Sequence, residues 1–323
     1  MRARFPVSPE RYRQIAFAAL AALTLIVLTG AAVRLTDSGL GCPDWPRCYG
    51  KVVPPLSFHS VIEFGNRFLS GVVGFVTIGA FAAALLRTPQ RRDLVWISAL
   101  LPVGVLCQAV LGGFTVTHDL APGFVMAHFG LSMVILIAAV TLAWRAAHEP
   151  GSRPRARDRA TVWVVRLAAL LGAAVLFAGT VATAAGPHAG GSEGQLIHRL
   201  HFRGASTLTW AIHRHAVIAT LLGLTVICAW LLARRRAGDP RLVEALVVAG
   251  VLMAAQGLVG SVQFELHLPA DMVWVHVALA TLTWIALLWA VACAGRLTPR
   301  RAPVPEPRDE PAAERPLAPL AGR

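Results

Sequence analysis

Residues 57–67, SFHSVIEFGNR, gather groups able to do chemistry at the mouth of a long apolar run, 61–86. His59, Glu63 and Asn66 recur at helical spacing, which aligns them on one face with Arg67 beside them. Ionisable side chains are costly inside a membrane span and mark functional sites there. A carboxylate such as Glu63 in an apolar bundle either keeps its proton or pairs with a cation, and His59 and Arg67 are within helical reach. Two readings stand for it: an intrahelical ion pair at the interface, or a group that handles protons or orients a substrate. Of the 11 histidines, His128, His213, His215 and His276 also lie inside apolar runs. His59, His118, His188, His198, His201 and His267 fall in or beside loops at the same end, and only His148 falls at the other. The chemistry belongs to one half of the membrane.

The elements that position these groups follow from composition. The chain of 323 residues is 56% hydrophobic and 15% charged, which excludes an ordinary soluble domain. Its net charge of +13 comes mostly from arginines in short segments between apolar runs. That distribution fits membrane topology and not a contiguous basic face, so no nucleic-acid partner is expected. Eight runs are long enough to cross a bilayer as helices: 14–35, 61–86, 94–116, 123–144, 162–186, 207–232, 243–264 and 272–293. The basic residues concentrate in the N-terminal tail, the loops 87–93, 145–161 and 233–242, and the tail from 294, which places both termini in the cytoplasm. The first run is longer than the apolar core of a signal peptide, lacks a convincing cleavage site and is expected to be retained.

An internal repeat ties the runs together. Gln108, Gly112 and His128 match Gln256, Gly260 and His276 at an offset of 148. At 147, Asn66-Arg67 falls on His213-Arg214, and Gly30 falls close to Gly179. The expected fold is therefore an all-α integral membrane protein, eight transmembrane helices in two parallel pseudo-symmetric four-helix bundles, 14–144 and 162–293. A cytoplasmic tail (1–13), a basic linker (145–161) and a disordered tail (294–323) complete the domain plan. In the second copy, His213 and His276 fall at matched depths, suited to axial ligation of a haem iron. The bland alternative is two buried polar residues, each bonded to a neighbouring helix. Arg214 would then pair a haem propionate or snorkel to the interface. In the first copy the equivalent pair is Asn66 and His128, and Asn is a poor iron ligand.

The loop after the first run reads GLGCPDWPRCYG. Cys42 and Cys48 there are placed for a disulfide if the loop is tight; a zinc site would need further ligands nearby. The matching loop of the second copy, 187–206, has no cysteine.

Taken together, GLGCPDWPRC, EFGNR, QAVLGGFTV with His128, GTVATAAGPHAGG, His213-Arg214, and QGLVGSVQF through to His276 resemble the heme A synthase family across the eight-helix region. The resemblance implies oxidation of the C8 methyl of heme O to a formyl, giving heme A for terminal cytochrome oxidase, through two hydroxylations and loss of water. It implies a resident heme B held by His213 and His276, and a substrate pocket in the first half with Glu63 and His128 as catalytic residues and His59, Asn66 and Arg67 around them. It further implies a Cys42–Cys48 disulfide, a cell-membrane location in contact with lipid, and heme O synthase and cytochrome oxidase assembly proteins as partners. Many members carry His where this chain has Asn66, so His128 is the only matched ligand unless His59 substitutes. Two rival readings remain, a cytochrome b-like electron-transfer subunit and a haem chaperone; neither gives Glu63 or the cysteine pair a role.

Overall fold

The computed structural model describes residues 6–150, 155–156, 158–192, 194–237 and 239–297. The expected disordered tail lies, beyond Leu297, outside the described residues, as do residues 1–5 of the N-terminal tail and 151–154 and 157 of the linker. Among the described residues there are eight long helices: α1 Pro9–Leu35, α2 Phe58–Leu86, α3 Arg92–Thr117, α4 Pro122–Ala147, α5 Arg159–Ala185, α6 Thr207–Leu232, α7 Pro240–Glu265 and α8 Ala270–Cys293. All eight are long and apolar enough to cross a membrane, the build of a multi-pass membrane protein. Most begin a few residues before the apolar run because capping residues start them. Ser8, Ser57, Asp158 and Asp239 accept backbone N–H groups at the first turns of α1, α2, α5 and α7. Pro9, Pro122 and Pro240 occupy first-turn positions that need no N–H donor. Besides the helices there are only short pieces among the described residues, such as the parallel pairing of Arg155–Ala156 with Arg296–Leu297.

Packing divides the helices into two rings. In the first, α1 adjoins α2 and α4, and α3 adjoins the same two, so α2 and α4 stand on a diagonal. The second repeats this with α5, α6, α7 and α8, leaving α6 and α8 on its diagonal. Alanines at 16, 19, 80, 84, 139 and 143 are buried in the first ring, which lets the backbones approach closely. Large apolar side chains such as Phe75, Trp96 and Leu170 point outward, where lipid is their solvent. Between the rings, α8 packs on α1 and α4, and α4 on α5. Two indoles stitch this seam: Trp284 Nε1 donates to the Met133 carbonyl and Trp274 Nε1 to the Leu28 carbonyl, each at 3.0 Å.

The turns joining α3 to α4 and α7 to α8 share one hydrogen-bond pattern. Leu120 N–H donates to Thr115 O and Leu268 N–H to Gln263 O, at 2.9 and 2.7 Å. Asp119 and Leu120, like His267 and Leu268, take left-handed backbone conformations. The two turns are compatible with a duplicated four-helix unit. Each ring holds four spanning helices, so each returns the chain to the end at which it entered.

Candidate functional site

Four polar side chains, two in each ring, face glycines on the adjacent helix. A Cβ at Gly112 would lie 3.3 Å from the His128 ring, one at Gly179 3.2 Å from the His215 ring, and one at Gly260 3.1 Å from the His276 ring. A Cβ at Gly30 would lie 3.9 Å from Asn66 Nδ2. The glycines hold open the space into which these side chains project.

The second ring places its histidines differently from the expected pair. His215, not His213, faces His276: the ring centres are 6.1 Å apart with planes at 61°. His213 and Arg214 are exposed, and the Arg214 guanidinium lies over the Trp210 ring, 5.7 Å from its centre. The reason is helical phase. Two residues turn a helix by about 200°, so 213 and 215 point to opposite sides. An offset of 149, the spacing of Gly30 and Gly179, carries Asn66 onto His215. The shared His-Arg and Asn-Arg dipeptides favour 147, whereas the glycine pair favours 149 and selects His215.

The donor chemistry of the pair is well defined. His215 Nδ1 lies 3.0 Å from the Val175 carbonyl, which can only accept, so Nδ1 carries the proton and Nε2 keeps its lone pair. Gln256 Nε2 stands 3.2 Å from His276 Nε2. His276 Nδ1, Gln256 Oε1 and Gln263 Oε1 are buried with no hydrogen-bond partner among the described residues. Two imidazoles bound to opposite faces of one metal at about 2 Å have ring centres roughly 6 Å apart. The separation of the pair, with one amide contact to displace, is compatible with both imidazoles ligating one haem iron. No cluster of three or more His, Cys, Asp or Glu able to hold a bare metal ion occurs among the described residues.

In the first ring, Gln108 Nε2 donates to the His128 carbonyl at 2.9 Å and to Ser132 Oγ at 2.6 Å, fixing α3 against α4. His128 Nδ1, Asn66 Oδ1 and Gln108 Oε1 are buried and, among the described residues, lack partners. One turn above Asn66, the buried Glu63 is held from two sides. Its Oε1 accepts from Arg67 at 2.5 Å and its Oε2 from the Cys42 N–H at 2.7 Å. Arg67 also donates to the carbonyls of Cys42, Asp44 and Arg47. The ion pair thus clasps the cysteine loop to α2. Cys42 and Cys48 form a disulfide and are fully buried. Being bonded to each other, they are not available to zinc.

Further contacts seat the same loop. Gly41 sits so close to the His59 carbonyl that a Cβ there would be 2.3 Å from its oxygen, and Trp45 packs on Gly113 of α3. The Gly50 and Tyr49 amides bind the Asp44 carboxyl and, with Arg67 nearby, hold it below the usual carboxylate range. His59 is engaged by Ser38 Oγ at 3.0 Å, two turns beyond Asn66, and is not gathered with Asn66 and His128.

A heme A synthase of Shewanella oneidensis is 30% identical over 172 residues, 47% of this chain and 51% of that one. Another, from Exiguobacterium sibiricum, is 30% identical over 39% of this chain and 45% of its own. The matched stretch thus spans about half the length of these relatives. A heme A synthase of Alkalihalophilus pseudofirmus is 29% identical over 66% of this chain and 73% of its own. A Thermus thermophilus protein named protoheme IX farnesyltransferase is 28% identical over 84% of this chain but only 46% of its own length. The model of one family, the cytochrome oxidase assembly proteins COX15-CtaA, matches residues 13–61 and 56–288, from the first helix to the last. With that match running through both rings, the chain belongs to the COX15-CtaA family.

Proposed function

We propose that this protein is a heme A synthase, oxidising the C8 methyl of heme O to a formyl group. Two hydroxylations, each a two-electron oxidation of the carbon by an oxidant supplied from outside the chain, would give a geminal diol that loses water to the aldehyde. The observation that carries the reading is the His215–His276 pair, 6.1 Å apart in a glycine-lined ring, in a member of this family. When bound, a haem iron would supply one-electron redox chemistry to the reaction.

The division of labour runs between the rings. His215 and His276 hold a resident heme B, with the Val175 carbonyl fixing the His215 tautomer. The first ring takes heme O, with His128 as its iron ligand and Asn66 on the diagonal helix opposite. Glu63 works beside that pocket, holding or passing a proton at Oε2, the oxygen now bound by the Cys42 amide. Arg67 keeps the carboxylate placed and ties it to the disulfide loop. Arg214, stacked on Trp210 at the surface, is better suited to the membrane interface than to a haem propionate.

The distribution of basic residues supports a cell-membrane protein with both termini in the cytoplasm and both pockets toward the outer face. Similarity to a longer protein named for farnesyl transfer to protoheme supports a heme O-producing partner, with cytochrome oxidase assembly proteins receiving the product. The test is expression of the chain in cells that make heme O but no heme A, with extracted haems identified by mass and absorption. Heme A or its hydroxylated precursor is the expected product. Heme O alone, with the protein present and haem-loaded, would leave a cytochrome b-like or chaperone role in its place.

A further inference from the structure

We infer that the first ring binds its haem iron from one side only, and that Asn66 reserves the opposite face for a small neutral ligand of the carbon monoxide or dioxygen class. The inference rests on the haem-binding reading above and deepens it at one residue. Asn66 takes the place that His215 has in the second ring, with the same glycine partner on the preceding helix, Gly30 for Gly179. His215 brings an imidazole lone pair to its pocket; Asn66 brings a carboxamide, whose neutral oxygen and nitrogen are poor donors to iron.

The structure also removes the candidates for a replacement ligand. His59 lies seven residues from Asn66 on α2, roughly 10 Å along the axis, and is held by Ser38 Oγ. Both Glu63 oxygens are engaged, by Arg67 and by the Cys42 amide. Gln108, on α3, is tied to the α4 side of the ring, its amide nitrogen donating to the His128 carbonyl and to Ser132. On α2, the helix diagonal to α4, what remains is the Asn66 side chain, its Oδ1 buried and, among the described residues, without a partner. A carboxamide that does not ligate the metal is still a hydrogen-bonding group, able to orient a polar ligand seated between it and the iron. The second ring offers two imidazoles and no such position. One chain would then carry a coordinatively saturated haem and an open one.

Carbon monoxide is the probe. The full chain, purified from cells making heme O, is analysed for total haem per chain, reduced and exposed to carbon monoxide. Two haems are expected, of which one, half of the total, shifts its Soret band. Asn66→His should abolish that shift and convert the open haem to a low-spin spectrum. Asn66→Ala, which adds no bulk, should keep carbon monoxide binding and change the stretching frequency of the bound ligand. Two haems of which neither binds carbon monoxide in the wild-type chain overturn this inference and leave the proposed function standing. A single haem per chain, inert to carbon monoxide, overturns the two-pocket reading itself. Asn66→Ala with an unaltered stretching frequency removes the orienting role of the carboxamide.

Discussion

The three histidines near the ends of α6 and α8 give a test at the level of single residues. His215→Ala and His276→Ala are each expected to abolish the low-spin haem absorption of the purified protein, whereas His213→Ala, altering an exposed side chain, should leave it unchanged. The reverse pattern would restore the pairing read from the sequence. Glu63 poses a finer question, because its two hydrogen bonds serve structure as well as chemistry. If it moves a proton, Glu63→Gln should lower turnover at least about 100-fold with the low-spin spectrum and the disulfide intact. Full activity would make Glu63 a clasp and nothing more. Residue identities in the pockets were legible in the sequence as types: histidines and a carboxylate in apolar runs are conspicuous. Which histidine points inward was not, since a two-residue error in register reverses the face and dipeptide similarity favoured the wrong register. The anchoring of His59 by Ser38 was likewise invisible, because it joins a loop to a helix across 21 residues.

At the level of elements, the eight helices fell where apolar length placed them, with ends extended by caps that lie outside the apolar runs. The loop between α1 and α2 is the element least readable beforehand. Its pairing of Cys42 with Cys48 followed from resemblance, but its attachment depends on contacts with α2 and α3 that no local pattern encodes. Gly41 is the tightest of these. A methyl there would meet backbone, which cannot swing aside as a side chain would. Gly41→Ala is expected to destabilise the protein by about 1–3 kcal/mol, or to lift the loop from α2 at similar cost. A lowered Tm in detergent, or faster amide exchange through the cysteine loop, would show it; neither change would mean that the loop is not clamped by this contact.

At the level of the whole molecule, the seam between the rings is the feature that sequence periodicity could not reveal, since lipid-facing and seam-facing positions are equally apolar. Trp284 marks it: the side chain is buried and its indole N–H reaches a carbonyl of the other ring. Trp284→Ala should cost about 3–5 kcal/mol through the lost packing, read as a fall in Tm, whereas a variant as stable as wild type would mean that the rings associate by other contacts. The return of the chain, after four helices, to the end at which it started has a consequence for history. A gene encoding such a unit can be doubled in tandem and both products will insert the same way up, with no rewriting of the charges that orient them. Once two copies lie side by side in one polypeptide, one is free to lose a ligand while the other keeps its cofactor. An imidazole in one ring and a carboxamide at the corresponding place in the other are what such divergence would leave behind.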